Sequence, residues 1–164
     1  MNHLSRLIVY PWAAPSIRRL NEAGLPVIVV TNQSGVSRGI FPESLVAEVH
    51  RQMAMELGAA QARVDAVYYC THRREDNCEC RKPLPGLLHR AAAEHGIDLA
   101  RSFVVGDRYL DVALAHAAGG RGIMVLSGYG RGEYEFHRHE WARQPDLVAD
   151  NLGAAVDLIL QAVR

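Results

Sequence analysis

An apolar run passes directly into a polar loop at residues 26–35, which read Pro26-Val27-Ile28-Val29-Val30-Thr31-Asn32-Gln33-Ser34-Gly35. A short β-branched run of this kind is typical of a strand that is buried in a parallel sheet. The hydroxyl, amide and backbone N–H groups that follow it suit a phosphate oxygen at the end of such a strand. Taken alone, the run leaves a second interpretation open, in which Thr31 or Ser34 only caps the next turn.

Helices and strands alternate on both sides of this run. The periodicity predicts helices at 15–23, 42–57, 86–95, 110–118 and 152–163, and further strands at 64–70, 102–105 and 122–126. Glycine ends most of these helices, at Gly24, Gly58, Gly96 and Gly119. The alternation predicts a Rossmann-like α/β fold, doubly wound and mostly parallel, with ligands at the carboxyl ends of the strands. The length predicts a single domain over residues 1–164.

Composition narrows the class of protein. The 18 acidic residues balance the 18 basic ones, and 17 of the basic residues are arginine, so Lys82 is the only lysine. Zero net charge without a basic block argues against a nucleic-acid or membrane-surface binder. No apolar run reaches the roughly 18 residues of a membrane helix. We therefore expect a soluble cytoplasmic protein, although three arginines and no acid in residues 1–21 leave a transit peptide as an alternative.

Two more groups of polar residues accompany the predicted strands. The strand at 102–105 runs into Gly106-Asp107-Arg108-Tyr109-Leu110-Asp111, which places two carboxylates four residues apart. Arg81-Lys82-Pro83 puts a cationic pair just before a predicted helix. Donors, a cation and acids at the ends of parallel strands predict a magnesium-assisted phosphoryl-transfer site. Singly, Asp107 could also cap a helix, and Arg81 and Lys82 could be surface charges.

The cysteines and one histidine have the spacing of a metal site. Cys70, His72, Cys78 and Cys80 form two pairs within 11 residues, which is enough for a closed, structural Cys₃His zinc site. Zinc would order the polar residues 73–77 and fix the segment that follows the last ligand. The alternative is three buried or free thiols beside an incidental histidine. We interpret His137 and His139 as part of a solvated helical face rather than as metal ligands.

In this order, these motifs resemble the haloacid dehalogenase superfamily. The match runs from about Tyr10 to Leu160 and includes the Cys/His loop, which is typical of the D-glycero-D-manno-heptose 1,7-bisphosphate phosphatases and the related histidinol-phosphate phosphatases. The resemblance implies a phosphatase without a large cap that uses Mg²⁺ and Zn²⁺ and hydrolyses a small phosphorylated sugar through an aspartyl-phosphate. Heptose bisphosphate is the expected substrate. Histidinol phosphate, or a non-catalytic phosphate-binding relative stabilised by zinc, is the alternative.

The resemblance also implies a role for each polar residue. Four residues would form the phosphate-binding loop: Thr31, Asn32, Gln33 and Ser34. Lys82 would neutralise phosphate charge, Arg81 would grip the substrate and Arg108 would line the site. Asp107 would hold Mg²⁺, with Asp111 in a supporting role. Neither the resemblance nor the composition predicts an oligomeric state.

One motif of the family is missing from the sequence. Its nucleophile and general acid stand in an Asp-x-Asp motif after an N-terminal strand, but these 164 residues contain no Asp-x-Asp, and their first acid is Glu22. We therefore expect no turnover from these residues alone, and a shortened form of a working phosphatase rather than a natural non-catalytic relative. Without that strand, the strands ending at Thr31 and Asp107 would have unpaired edges or would pair directly.

Overall fold

The computed structural model describes residues 3–163. Its contacts divide the chain into two compact units, residues 1–81 and 82–164. Every strand ladder in the described residues is parallel, which confirms the predicted α/β fold. No helix of residues 3–163 has both the length and the hydropathy that a membrane crossing requires. The single domain stays a prediction.

The first unit contains a two-stranded sheet and two helices. Its elements are a 3₁₀ turn at Leu4–Arg6, helix α1 (Ala13–Glu22), strand β1 (Ile28–Asn32), helix α2 (Glu43–Ala59), strand β2 (Ala66–Cys70) and a 3₁₀ turn at Arg74–Asp76. Strands β1 and β2 pair from Ile28 opposite Ala66 to Asn32 opposite Cys70. This register places the polar loop that follows β1 next to the Cys/His segment that follows β2.

Helix α2 buries Val46, Val49 and Leu57, which accounts for its apolar periodicity. The predicted stop of this helix at Gly58 is wrong, because α2 continues to Ala59. The chain turns instead at Gln61, which takes a left-handed φ of 59°. The N–H of Ala62 then donates to the carbonyl of Leu57 at 3.0 Å and closes the last turn.

The second unit contains a three-stranded parallel sheet with the order β3-β4-β5. Its elements are helix α3 (Gly86–His95), a 3₁₀ turn at Leu99–Arg101, strand β3 (Phe103–Gly106), helix α4 (Tyr109–Ala117), strand β4 (Arg121–Val125), helix α5 (Gly130–His137), a 3₁₀ turn at Arg138–Glu140, strand β5 (Leu147–Ala149) and helix α6 (Leu152–Ala162). Phe103 lies opposite Arg121, and Ile123 opposite Leu147. The sequence did not predict α5 or β5.

The core of the second unit lies around the central strand β4. Most of its large, fully buried side chains come from α4, β4 and α6: Val112, Leu114, Ile123, Met124 and Val156. Strand β3, at the edge of this sheet, is only half-buried along its length. The loop from Gly106 to Asp111 therefore joins an edge strand to a fully packed helix, which gives the polar side chains of that loop a rigid support.

Candidate phosphate and metal sites

The Cys/His cluster, defined as Cys70, His72, Cys78 and Cys80, has the geometry of a metal site. One ligand atom from each residue lies within 4.8 Å of all the others. Cys80 Sγ is 3.1 Å from Cys70 Sγ and 3.2 Å from His72 Nδ1, and Cys78 Sγ is 3.7 Å from Cys70 Sγ. A tetrahedral zinc site with Zn–S bonds of about 2.3 Å separates its ligand atoms by about 3.7 Å. The cluster could therefore bind zinc, as predicted.

The thiols of the cluster have unequal acidities. Burial raises the pKa of Cys70. Burial also raises the pKa of Cys80 to about 12, and the adjacent sulfurs of Cys70 and Cys78 add to this shift. Burial alone would also raise the pKa of Cys78. Hydrogen bonds from Cys80, Cys70 and two backbone N–H groups outweigh this effect and lower the pKa. A bound zinc ion would supply the positive charge that allows all three sulfurs to ionise.

The predicted phosphate loop begins at the carboxyl end of β1. Thr31 and Asn32 are the last residues of the strand, and the N–H of Gln33 donates to the carbonyl of Cys70 at 2.7 Å. Gln33 Nε2 donates to Thr31 Oγ1 at 3.2 Å, and the carbonyl of Ser34 accepts from a backbone N–H four residues later. The structure thus brings the four predicted residues together at the end of β1 and in the turn that follows it. Their role in phosphate binding stays a prediction.

Hydrogen bonds connect the phosphate loop to the Cys/His cluster. Arg73 donates to the carbonyl of Ser37 through Nε, at 3.0 Å, and through Nη2. Arg81 Nη1 donates to the carbonyl of His72 at 3.1 Å. Together with the bond from Gln33 to Cys70, these contacts attach the loop after β1 to the metal-ligand segment. Order in the cluster is therefore expected to support order in the loop.

The other histidines named as possible ligands contact an acid instead. His137 Nδ1 and His139 Nε2 lie 3.7 and 3.5 Å from the carboxylate oxygens of Glu140, and all three side chains are exposed. In the described residues, the Cys/His cluster is the one group of three or more potential metal ligands. The exposure of His137 and His139 agrees with a solvated helical face at residues 137–139.

A buried ion pair forms at the start of the second unit. Lys82 Nζ lies 2.6 Å from Asp111 Oδ1, and the two side chains are 15% and 10% exposed. The other oxygen of Asp111 accepts from the N–H of Arg108 at 3.3 Å. A Cβ atom at Gly106 would overlap the Asp111 carboxylate, so glycine leaves the space that this carboxylate needs. The pair holds the chain's only lysine in a fixed position.

Asp107 follows β3 directly, as predicted. Its Oδ2 accepts from the N–H of Tyr129 at 3.0 Å. Gly128 has a φ of +62°, and a Cβ atom there would overlap this carboxylate, which explains a glycine next to it. Mg²⁺ is usually bound through one or two carboxylates together with water and substrate phosphate. A carboxylate at a strand end fits this pattern, although the assignment of Mg²⁺ to Asp107 stays a prediction.

Sequence reasoning missed the loop that follows β4 and the first turn of helix α5. Glu133 Oε2 accepts from the N–H of Tyr109 at 2.9 Å, and Oε1 lies 3.1 Å from Arg108 Nε. The Arg108 guanidinium carbon stands 4.7 Å from the centroid of the Tyr129 ring. One feature of the sequence could have indicated this region: glycines alternate at 128, 130 and 132, directly after a predicted strand. Such glycines allow another part of the chain to approach the backbone closely.

Another ion pair of this unit lies at the amino ends of the strands. His116 Nε2 and Asp146 Oδ2 are 2.8 Å apart, and Asp146 also accepts from the N–H of Gly122 at 2.7 Å. Burial alone would raise the pKa of Asp146, but this N–H bond and the adjacent His116 and Arg143 lower it. Because Gly122 stands at the amino end of β4, we interpret this pair as structural.

The fold and these polar groups define a class of hydrolase. The chain belongs to the haloacid dehalogenase-like hydrolases, whose family model matches residues 1–116. A second model, for HAD hydrolase-like sequences, matches residues 79–155. The predicted family is confirmed.

Relatives within this class specify the resemblance further. A D-glycero-beta-D-manno-heptose-1,7-bisphosphate 7-phosphatase of Rhodopseudomonas palustris is 46% identical over 121 residues, which cover 70% of this chain and 67% of the relative. A D-glycero-D-manno-heptose-1,7-bisphosphate 7-phosphatase of Thermosynechococcus vestitus is 38% identical over 97% of this chain and 86% of the relative. Among solved structures, this chain resembles the D,D-heptose 1,7-bisphosphate phosphatase of Bordetella bronchiseptica, crystallised with magnesium and phosphate. The TM-score is 0.89 and the identity is 32%, and the match covers 98% of this chain and 88% of the other. The predicted subgroup is confirmed.

Proposed function

We propose that residues 1–164 belong to a magnesium-dependent phosphatase that hydrolyses D-glycero-D-manno-heptose 1,7-bisphosphate, a small phosphorylated metabolite. The ammonium of Lys82, held 2.6 Å from Asp111 beside the carboxyl end of β3, is the observation that supports a phosphate site most directly. The relatives described above are named for the heptose bisphosphate, which favours this substrate over histidinol phosphate.

Lys82 acts as the phosphate-binding cation in this proposal. A compact ammonium places a point charge against a single phosphoryl oxygen, whereas the planar guanidinium of arginine would donate hydrogen bonds to two oxygens at once. Asp111 fixes the position of the ammonium and balances its charge while no substrate is bound. This role accounts for one lysine in a chain whose other 17 basic residues are arginine.

The loop after β1 supplies neutral donors to the phosphoryl group. We assign this role to Thr31 and Asn32, with Gln33 and Ser34 completing the turn. Arg81, fixed at one Nη by the carbonyl of His72, has further guanidinium N–H groups with which to grip the substrate. Arg108 lines the site beside Asp107.

Two metal ions have separate tasks. Asp107 would hold Mg²⁺, which neutralises charge on the transferring phosphoryl group. The Cys/His cluster would hold Zn²⁺ in a closed site that orders residues 70–80. Cys80 is followed directly by Arg81 and Lys82, so an ordered cluster limits the conformations of both cations.

The reaction requires two acids that residues 1–164 do not provide as an Asp-x-Asp motif. We assign them to a segment outside these residues. The first carboxylate forms a bond to phosphorus as the bond from phosphorus to the sugar oxygen breaks, and the second acid donates a proton to that leaving oxygen. Water, deprotonated by the second acid, then attacks phosphorus, which releases inorganic phosphate and regenerates the carboxylate.

We place this reaction in the cytoplasm. The three cysteines of the cluster have sulfur atoms 3.1 to 3.7 Å apart, and an oxidising compartment would favour disulfides over zinc thiolates.

Phosphate release in the presence of Mg²⁺ tests the proposal. We compare residues 1–164 alone with a longer protein in which an Asp-x-Asp segment of a relative precedes residue 1, each with the heptose bisphosphate and with histidinol phosphate. We expect the longer protein to prefer the heptose bisphosphate and the shorter one to show no turnover. Magnesium-dependent turnover by pure residues 1–164 would refute the need for an outside nucleophile.

Two other outcomes separate the alternatives. Hydrolysis of histidinol phosphate alone would overturn the substrate. Tight binding of the heptose bisphosphate without hydrolysis by the longer protein would indicate a non-catalytic relative. As a matched pair, Lys82→Ala is expected to weaken phosphate binding, whereas Arg90→Ala, which removes an exposed cation paired with Glu94, is expected to leave it unchanged.

A further inference from the structure

We infer that Glu133 and the ring of Tyr129 are positioning residues, which hold the Arg108 guanidinium ready for an anionic group of the substrate. This inference rests on the proposed function, because Arg108 is assigned to the substrate site there. Neither Glu133 nor Tyr129 belongs to the motifs from which the site was predicted.

Two contacts of different kinds restrain the guanidinium. Arg108 Nε lies 3.1 Å from Glu133 Oε1, while the face of the Tyr129 ring lies 4.7 Å from Arg108 Cζ. An ion pair at Nε and a cation–π contact at the ring face fix both the position and the plane of the group. A long side chain that is otherwise free to rotate is thereby limited to few conformations.

The guanidinium keeps donors for a ligand. It has five N–H groups, and in residues 3–163 the structure gives its head group two partners, Glu133 and Tyr129. The side chain is 48% exposed. The Nη groups can therefore meet an oxyanion in the bidentate manner that arginine favours.

The same two residues also hold the sequence neighbours of Arg108, one by its backbone and the other by its side chain. Glu133 Oε2 accepts from the N–H of Tyr109, and the N–H of Tyr129 donates to Asp107 Oδ2. Three successive residues, 107 to 109, are thus attached to the loop after β4 and to helix α5. A substrate anion drawn towards a cation on Asp107 would come within reach of the next side chain in the sequence.

Two effects of Glu133 on substrate affinity oppose each other. Its negative charge weakens the attraction of Arg108 for an anion, but its contact removes rotamer freedom that the substrate would otherwise have to remove on binding. Because the Arg108 side chain is 48% exposed, water and salt screen the charge effect, and we expect the ordering effect to exceed it.

Calorimetric titration with D-glycero-D-manno-heptose 1,7-bisphosphate and Mg²⁺ tests the inference, since binding needs no turnover. Glu133→Gln keeps an acceptor for the N–H of Tyr109 and removes the charge opposite Arg108. We expect Kd to rise about two- to tenfold, the factor for one side chain that becomes ordered only on binding. Glu135→Gln makes the same change on the same helix, at an exposed pair with Arg131, and should leave Kd unchanged.

The ring contact has its own matched pair. Tyr129→Ala removes the ring and retains the backbone N–H that Asp107 accepts from, so we expect a rise in Kd of about two- to fivefold. Phe136→Ala removes an aromatic ring that is 69% exposed and should not change Kd.

A double-mutant cycle distinguishes positioning from a purely structural role. If Glu133 acts through Arg108, Glu133→Gln has no further effect on Kd in the Arg108→Ala background. Equal losses in both backgrounds, tighter binding by Glu133→Gln, or unchanged binding by Arg108→Ala would each overturn the inference. An unmodified protein that binds neither the bisphosphate nor inorganic phosphate would instead contradict the proposed function.

Discussion

The Cys/His cluster and the Lys82–Asp111 pair bury polar groups in two different ways. In the cluster, four ligand atoms from a segment of 11 residues lie within 4.8 Å of one another, and burial raises the pKa of Cys70 and Cys80. In the pair, an ammonium and a carboxylate separated by 29 positions in the sequence lie 2.6 Å apart. The cluster needs a metal ion to balance its ionised sulfurs, whereas the pair contains both charges already.

This difference predicts which conditions each region responds to. The cluster depends on zinc and on reducing conditions, because its ligands are thiolates. The pair depends on the packing of α4, whose side chains Val112 and Leu114 are fully buried. Removing zinc should therefore unfold the first region while helix α4, which carries Asp111, stays folded, and four experiments test the contrast.

Zinc removal should have the largest effect. Apparent binding energies of structural zinc in small domains are about 10–16 kcal/mol, so a strong chelator is expected to unfold residues 70–81. Hydrogen exchange measures this as rapid labelling of that segment, with protection retained in helix α4, residues 109–117. Equal loss of protection in α4 would contradict the separation of the two regions. Substoichiometric zinc after gentle purification would contradict the zinc site itself.

Lys82→Ala should have the next largest effect. It leaves a carboxylate that is 10% exposed without its ammonium, and breaking a buried pair from one side costs about 3–5 kcal/mol. Urea denaturation measures the loss in the free energy of unfolding. Arg90→Ala breaks an exposed pair instead, for which a loss below about 1 kcal/mol is expected. Similar losses for the two variants would show that the Lys82–Asp111 pair is not a buried one in solution.

Acid should act through the structural pair of His116 and Asp146. The pKa of Asp146 lies below its ordinary value of 3.8, so its carboxylate stabilises the fold above that value, and the contribution is lost as the pH falls through the lowered pKa. Thermal melting from pH 7 to pH 3 should show a steeper decline below about pH 4 for the unmodified protein than for Asp146→Asn. Identical profiles would contradict the lowered pKa. Phosphate affinity at pH 7 should be the same for both proteins.

Arg73→Ala should have the smallest effect. It removes the bonds to the carbonyl of Ser37, which at an exposed position contribute about 1 kcal/mol. We expect faster hydrogen exchange in residues 33–40 with unchanged zinc content. Arg74→Ala changes the neighbouring arginine, for which the described residues contain no such bond, and serves as the control. Equal exchange in the two variants would mean that the cluster does not support the phosphate loop through Arg73.

The regular elements of the fold were largely predictable because each has a periodic pattern of its own. Strand β1 and helix α3 were recognised from local runs, and α3 spans the predicted residues 86–95. Helix α5 was missed because Gly130 and Gly132 are poor helix formers. Strand β5 has three residues, too few to show an alternation.

The candidate sites were predictable to different extents for a similar reason. The Cys/His cluster could be recognised because its four ligands are close in sequence and chemically distinctive. Lys82 and Asp111 were both expected in the site, but their direct contact was not. Glu133 was not found at all, because its partners Arg108 and Tyr109 lie more than 20 positions away and a surface glutamate has no distinctive local pattern.

The sequence by itself determined the alternation of helix and strand, the family, the candidate metal-ligand set and the polar residues at the strand ends. These depend on local periodicity and on residue type, which can be read without coordinates. Only the tertiary structure decided which charges meet: Lys82 with Asp111, Glu133 with Arg108, and Asp146 with His116. Parallel strands place the ends of distant segments side by side, and the packing of the helices against them sets the distances between their side chains.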